Sequence, residues 1–548
     1  MSRYHLIPQL SPDLDDGEFK SNRRRPRSRS FSYVFAVLRK TRRVCRPVHI
    51  IIAIVLLLFL QVTFNSSYTS PPIFTASPDE TVFIAANIID SSLIEGPWGR
   101  SLLELVDLIG KDRVHVSIYG GSSAALKPLQ ARLPCENTIV SEEDEPIDLD
   151  SIQHTELNTG ESRIRRIAYL AEVRNRALRP LDALIRRFDR VLFLNDVFFD
   201  AHDAVRLLWG TNVNQEGKAD YVAACGADFV APWKYYDTFA TRDYEGYSLG
   251  VPIFPWFSNE GHAQSRMDVL NQRSAVRVKS CWGGIVAFDG RYFQRDLASS
   301  NIAAPRDGRS QDSSRQNTAA ETEESNMVEP VTLPIRFRSS SEPYREASEC
   351  CLIHADLIAA SSPPPDPGFT LKQPRWGEGI YMNPYVRVSY DATTHSQLWI
   401  MKRFERLAIL PQRLINYFAN MPHFNARRTE VEGEVYTDRQ WVPRNSDRAA
   451  GADAQAQADQ ESEHGAEHPW QRALGGGQRG RVDRRNTSVG APGKEFWRTE
   501  GHYVDYRRTA ERGGYCGTRA LQVLKQGSWD HGNWETLEEQ VPPLESEF

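Results

Sequence analysis

The chain has 548 residues, a net charge of −5 and a pI near 6.3, with 40% hydrophobic and 25% charged residues. That is enough length for one large or two medium globular domains with a substantial core. The near-balanced charge excludes whole-chain electrostatic binding of nucleic acid, and seven cysteines without a CxxC pair or matching histidines exclude a zinc framework.

Residues 1–47 carry twelve Lys or Arg against four Asp or Glu and read as a disordered, basic, cytosolic tail. They abut Val48 to Phe64, seventeen residues interrupted only by His49, Gln61 and Thr63. That length is the lower limit for a transmembrane helix and suits the thinner membranes of the early secretory pathway. A cleaved signal peptide competes, but the basic leader is too long and no small-x-small site follows closely. A signal anchor is therefore expected, and the positive-inside rule leaves the rest of the chain lumenal. Sequons at Asn65 and Asn486 agree with that side. So do six of the seven cysteines, all but Cys45, which allow up to three disulfides whose pairing the spacing leaves open.

Residues 65–80, with Pro71-Pro72 and several Ser and Thr, read as a stem. Thr81 to Ala86 is a buried strand closing at Asn87. Leu102, Leu103, Leu105, Val106 and Ile109 then have helical spacing, with Gly110 placed as a C-cap. Val114 to Tyr119 is a second strand. Strand, helix and strand in this order make a βαβ unit and a parallel sheet. Glu142 to Glu145 reads as a solvated acidic loop. From Ser162, the positions Ile164, Ile167, Ala168, Leu170, Ala171 and Leu178 predict a helix ending near Pro180. It carries Arg174, Asn175 and Arg176. Arginine suits bidentate phosphate or base contacts, with ordinary solvation as the competing role.

Val191 to Leu194, apolar and bounded by charge, reads as a strand buried on both faces. It breaks at its carboxyl end into Asn195 and Asp196, the sheet edge where open α/β folds bind ligands. A carboxylate beside an amide there suits a hard divalent cation that also holds phosphate oxygens. A strand-end Asp capping the next turn is the competing role. Aromatic and polar residues interleave from Trp233 to Phe239, including Tyr236 and Asp237, as a carbohydrate site requires and as a buried aromatic cluster also would. Val276 to Cys281 leads as a strand into Trp282-Gly283-Gly284, where glycines permit close backbone approach and Trp282 can wall a pocket. Residues 299–330 read as a disordered insertion. Ser348 is placed to cap a helix with Glu349 in its first turn, where the dipole favours its charge, and His354 reads as a core histidine. Leu398 to Tyr417 has helical spacing. Residues 428–495 lack any period and are expected to be disordered, and 496–548 to pack as a C-terminal segment on a catalytic domain spanning 81–427.

In series, Leu170 to Leu178, Phe193-Leu194-Asn195-Asp196-Val197, Tyr236-Asp237-Thr238-Phe239, Lys279 to Gly284, Ser348-Glu349-Cys350-Cys351-Leu352 and Asn383-Pro384-Tyr385-Val386 resemble the fungal, capsule-associated cryptococcal mannosyltransferase family of glycosyltransferases. The resemblance implies a Golgi type II membrane enzyme with a GT-A-like α/β fold, a mostly parallel sheet flanked by helices. It implies retaining α-1,3 transfer of mannose from GDP-mannose to a glycan acceptor with Mn²⁺ or Mg²⁺. Asp196 then resembles the metal-binding acid of a DxD motif whose first acid is Asn195 here. Arg174 and Asn175, with Asn195 and Asn87, are assigned to the nucleotide sugar. Tyr236, Asp237, Trp282, Gly283 and Gly284 are assigned to the acceptor, and Glu349 resembles the acid near its hydroxyl. A different nucleotide sugar, or a non-catalytic relative organising polysaccharide export, are the alternatives.

Overall fold

The computed structural model describes residues 29–77, 79–156, 161–295, 331–341, 345–361, 379–422, 430, 432–443, 501–518, 520–525 and 534–536. The expected insertion 299–330, the basic residues before 29, most of 428–495 and the Asn486 sequon lie outside them. The chain divides into residues 1–61 and 62–548. The first unit is built on α1 (Arg29–Phe64). Within it Pro47–Phe64, 18 residues, is long and apolar enough to cross a membrane, and Ile50, Leu57 and Phe59 are exposed as a lipid-facing helix requires. This helix could serve as an anchor.

The second unit is organised by one mixed sheet. Its strands in chain order are β1 (Val82–Asn87), β2 (Val114–Tyr119), β3 (Glu136–Val140), then, after the separate hairpin β4 (His154–Glu156) and β5 (Ser162–Ile164), β6 (Arg190–Leu194) and β7 (Ala223–Ala231). They continue with β8 (Lys234–Tyr235), β9 (Arg242–Asp243), β10 (Val276–Ser280), β11 (Ile285–Asp289) and, beyond the two-residue β12 (Glu346–Ala347), β13 (Ile380–Ser389). The spatial order is β3-β2-β1-β6-β11-β7-β13-β10-β9, with β8 on β7. The strands β3, β2, β1 and β6 are parallel, β11 is antiparallel to both neighbours, and β13 is again parallel to β7. This is the α/β arrangement expected, a sheet with parallel strands β3, β2, β1 and β6 and helices on its faces.

Period-two alternation explains why β6 sits in the middle. Val191 and Phe193 join Phe83 and Ala85 in one core, while Leu192 and Leu194 join Val82, Ile84 and Ala86 in the other. Among the helices α2 (Ser91–Glu95), α3 (Pro97–Ile109), α4 (Ser123–Arg132), α5 (Arg166–Leu178), α6 (Pro180–Ala183), α7 (Ala201–Trp209), α8 (Gln264–Leu270) and α9 (Glu349–Ser361), α3 and α7 cover the second face. The first is covered by α5 and α9, through Ile167, Leu170, Leu352 and Ile353. Gly110 closes α3 at φ 105°, as its sequence position required.

Several expectations change. Ile164 belongs to β5, paired with His154, so α5 starts only at Arg166. The stretch Leu398 to Tyr417 breaks into α10 (Ala392–Met401) and α11 (Ile409–Phe418) around a 3₁₀ turn. Within the span expected to lack order, β14 (Val435–Pro443) pairs with β15 (Gly501–Thr509); its β-branched and aromatic residues were diluted by the surrounding composition. The stem is docked at Tyr68, whose hydroxyl donates to the Val269 carbonyl at 3.1 Å. Glu142 is buried rather than solvated, receives the Tyr169 hydroxyl at 3.5 Å, and burial pushes its carboxyl up to about 8. His354 is a core histidine, as expected, lowered to about 4 by burial.

The C-terminal segment returns to the domain through β16 (Gly517–Thr518) on β12 and β17 (Gln522–Leu524), which pairs with β18 (Trp534–Thr536). A disulfide joins Cys351 in α9 to Cys516, and another joins Cys225 in β7 to Cys281. Cys135 and Cys350 are free thiols.

Candidate functional site

The carboxyl end of β6 opens beside a cavity of about 330 Å³. One wall is α5, where Arg166, Leu170 and Arg174 recur every four residues on one face. The opposite side is made by Asp228 of β7, Tyr236 and Asp237, with Trp282, the start of α9 and Tyr390 completing it. Six of the expected site residues therefore meet here: Arg174, Asn195, Tyr236, Asp237, Trp282 and Glu349.

Arg174 is the hub. Its Nε donates to Glu349 Oε1 at 2.9 Å, its Nη1 donates to Asn195 Oδ1 at 3.0 Å, and its guanidinium lies 4.4 Å from the Trp282 ring centroid. A planar fork satisfies a carboxylate, an amide and an aromatic face together, which an ammonium cannot. Glu349 reaches it because Ser348 caps α9, its hydroxyl accepting from the Cys350 amide at 3.2 Å. Cys350, buried beside them, donates its thiol to Glu349 Oε1 at 3.4 Å, and burial pushes its pKa up.

Two carboxylates missed as a pair form the floor. Asp228 is fully buried, accepts from the Tyr390 hydroxyl at 2.9 Å and from the Asp237 amide at 3.1 Å. Burial and then the neighbouring Asp237 charge push Asp228 up to about 8. Asp237 itself is held by the Ala240 amide at 2.9 Å, the Thr241 hydroxyl at 3.1 Å and the Trp282 amide at 3.1 Å. Its carboxylate thus fixes the Trp282 turn, while the Tyr236 ring, 4.5 Å from that of Tyr390, offers an aromatic face. The polar residue inside an apolar strand was the signal for Asp228.

Asp196 follows Asn195 but does not itself line this cavity. It is 8% exposed and, among the described residues, forms no ion pair. Burial pushes its carboxyl up to about 7, against the opposing charge of Arg174. Its own charge acts on Tyr236 and Tyr390 of the cavity wall, and the charge of Asp90, following β1, acts on it. Among the described residues its side chain neither caps a turn nor forms an ion pair.

The remaining expected residues lie elsewhere. Asn87 donates to the Tyr119 and Val173 carbonyls at 3.0 Å each and ties β1 to β2 and α5. Asn175 exchanges hydrogen bonds with the Phe337 backbone at 2.9 and 2.8 Å, so it fixes that segment. Arg176 pairs with Glu172 and Glu145 at the surface. The glycine pair serves packing: a Cβ on Gly283, at φ 57°, would sit 2.1 Å from the Gly226 carbonyl oxygen, and one on Gly284 2.8 Å from Val197. Gly283→Ala is expected to lose at least about 2 kcal/mol, from the left-handed backbone and the overlap together, read as a lowered midpoint in denaturant unfolding. Asn65 is exposed beside Arg406. Arg166, Gln522 and Trp534, also in the lining, carried no sequence signal, because their meeting depends on contacts more than 350 positions apart.

Among the described residues no group of three His, Cys, Asp or Glu side chains could hold a metal on its own. A cation arriving with a diphosphate needs only one or two protein carboxylates, and Asp196 is the carboxylate next to Asn195, outside the cavity lining.

The family model described as cryptococcal mannosyltransferase 1 matches residues 81–356, half of the chain. No curated protein matches the sequence. Solved structures that the chain matches include a mannosyltransferase from Pyrobaculum calidifontis in complex with GDP-Man and Mn²⁺, at 11% identity over 74% of this chain and 90% of that one, TM-score 0.27. Another is glucosyl-3-phosphoglycerate synthase from Mycobacterium tuberculosis with Mn²⁺, UDP and phosphoglyceric acid, at 11% identity over 42% and 66%, TM-score 0.21. At this distance no residue role carries over from them.

Proposed function

The chain belongs to the cryptococcal mannosyltransferase 1 family of glycosyltransferases, and from that premise we propose that it transfers mannose from GDP-mannose to an α-1,3 position of a mannose-containing glycan, with retention of configuration. The observation that carries this reading is the meeting of Asn195, Arg174 and Glu349 at the carboxyl edge of β6, in a cavity lined by Trp282 and Tyr236, with Asp196 next in the chain and outside that lining. The α1 span and the lumenal sequon support a type II enzyme of the Golgi membrane.

Departure of GDP leaves growing negative charge on the diphosphate as the sugar becomes oxocarbenium-like. Asp196, assisted by the phosphate oxygens, would hold a divalent cation that supplies Lewis acidity to that leaving group. Arg174 is preorganised by Glu349 and Trp282, so its charge is aimed without reorganisation. Glu349, engaged by Arg174, positions the arginine and the acceptor side of the cavity. Tyr236 presents an exposed ring for sugar C–H groups, while the Trp282 ring backs Arg174.

A non-catalytic relative is favoured by one observation, the single carboxylate at the metal position. The full-length protein in detergent, given Mn²⁺ and a panel of nucleotide sugars, separates the readings. GDP-mannose should turn over and the others should not. Turnover of a different donor alone would refute the donor assignment, and inertness toward all of them would refute the enzyme.

A further inference from the structure

Arg166 is a cavity cation that the chemistry above leaves unused. It opens α5 eight residues before Arg174, about 12 Å along the helix axis, so a guanidinium stands near each end of the same wall. The two are in different electrostatic states. Arg174 has an ion-pair partner in Glu349. Arg166 Nη1 donates at 2.7 Å to the uncharged Gln522 Oε1, its guanidinium lies 4.3 Å over the Trp534 ring, and its buried Nε has no acceptor. Among the described residues no carboxylate lies within ion-pairing distance of it. Its neighbour Arg165 differs in having an ion-pair partner, Glu346 at 2.9 Å, and it also donates to the Ser340 carbonyl.

A partly buried cation with no carboxylate at ion-pairing distance is held at a cost in the empty protein, and a bound anion relieves that cost. Burial pushes the Arg166 pKa down while Glu349 and Glu346, beyond ion-pairing distance, act the other way, and the group stays charged near neutral pH. We infer that Arg166, Gln522 and Trp534 form an anion subsite at the end of the cavity, taking a substrate oxyanion, carboxylate or phosphate, against the guanidinium with the indole as its side wall. Gln522 and Trp534 lie outside residues 81–356, so the C-terminal segment, fastened by the Cys351–Cys516 disulfide, would complete the site. The inference rests on the glycosyltransferase reading in giving the cavity to substrate. The oxyanion has two sources, an acidic sugar or phosphate on the acceptor, or the donor diphosphate.

Calorimetric titration of the full-length protein in detergent distinguishes them without requiring turnover. The probes are methyl α-mannoside, methyl glucuronoside, mannose 6-phosphate and GDP with Mn²⁺, on wild type, Arg166→Gln and Gln522→Glu. The second variant supplies a carboxylate to Arg166 at little change in volume and guards against a fold lost in the first. With an acidic acceptor, wild type should bind an acidic probe about 10- to 100-fold tighter than methyl α-mannoside, and both variants should erase that preference while GDP affinity holds. If the diphosphate is the ligand, both variants should weaken GDP by a similar factor and no acidic probe should be preferred. Equal binding of every probe by wild type and both variants would overturn the subsite. Failure of GDP-mannose to turn over would instead count against the proposed function, and the binding results would stand apart from it.

Discussion

Asp196→Ala is expected to lower GDP-mannose-dependent transfer by about 10²- to 10³-fold, the usual cost of removing one group that stabilises leaving-group charge. The fold should survive the change. The Asp196 carboxylate forms no ion pair among the described residues, so no buried partner is stranded, and its burial in charged form is a cost rather than a contribution. An unchanged thermal midpoint alongside lost activity would separate a functional acid from a structural one. The sign of the pH dependence follows from the same burial. With its carboxyl raised to about 7, Asp196 is increasingly protonated below that value, and a proton competes with a cation for it. Cation-dependent transfer at limiting Mn²⁺ should therefore climb from roughly pH 5.5 toward neutrality by about tenfold per unit at the steepest, and Asp196→Ala should flatten that limb. A non-catalytic scaffold would show neither effect.

Arg174→Gln is expected to cost both stability and activity, because it removes the partner of a buried acid. Glu349 is 2% exposed, and leaving its charge unpaired should cost about 3–5 kcal/mol, measured as a shift in the denaturant midpoint at constant slope. Arg174→Lys keeps the charge but cannot serve Glu349, Asn195 and the Trp282 face together, and should recover stability only in part. The double variant Arg174→Gln with Glu349→Gln separates the two roles. Removing both charges should restore much of the lost stability, since an amide pair needs no counter-charge, while transfer stays down by about 10²-fold. Recovery of activity in the double variant would mean that Arg174 serves only to neutralise Glu349.

Local pattern and motif order carried the reading as far as contacts are short in sequence or enforced by topology. The apolar run Val191 to Leu194 determined its own place in the sheet, because only a strand covered on both faces buries all four side chains. Once β6 is central and α5 precedes it, Arg174 and Asn195 must meet near its carboxyl end. What was misread lies where tertiary packing overrode composition. Asn175 and the glycine pair have the residue types of a binding site but are used for packing, pinning Phe337 and passing close over Gly226. Glu142 sits in an acidic run yet is covered, and Arg166 acquires its surroundings only when Gln522 and Trp534 return from the far end of the chain. A strand-length stretch such as Val435–Pro443 was lost in the bias of its neighbours, and its pairing with Gly501–Thr509 spans residues that no local window contains.

The role of Asp196 is tested most directly by titrating GDP into the full-length protein with and without Mn²⁺, for wild type and Asp196→Asn at the same pH. Wild type should bind GDP more tightly when the metal is present, and the variant, which keeps the shape of the side chain and loses its charge, should lose that gain. If Mn²⁺ strengthens GDP binding equally in both proteins, the cation is held elsewhere and the account given to Asp196 is wrong.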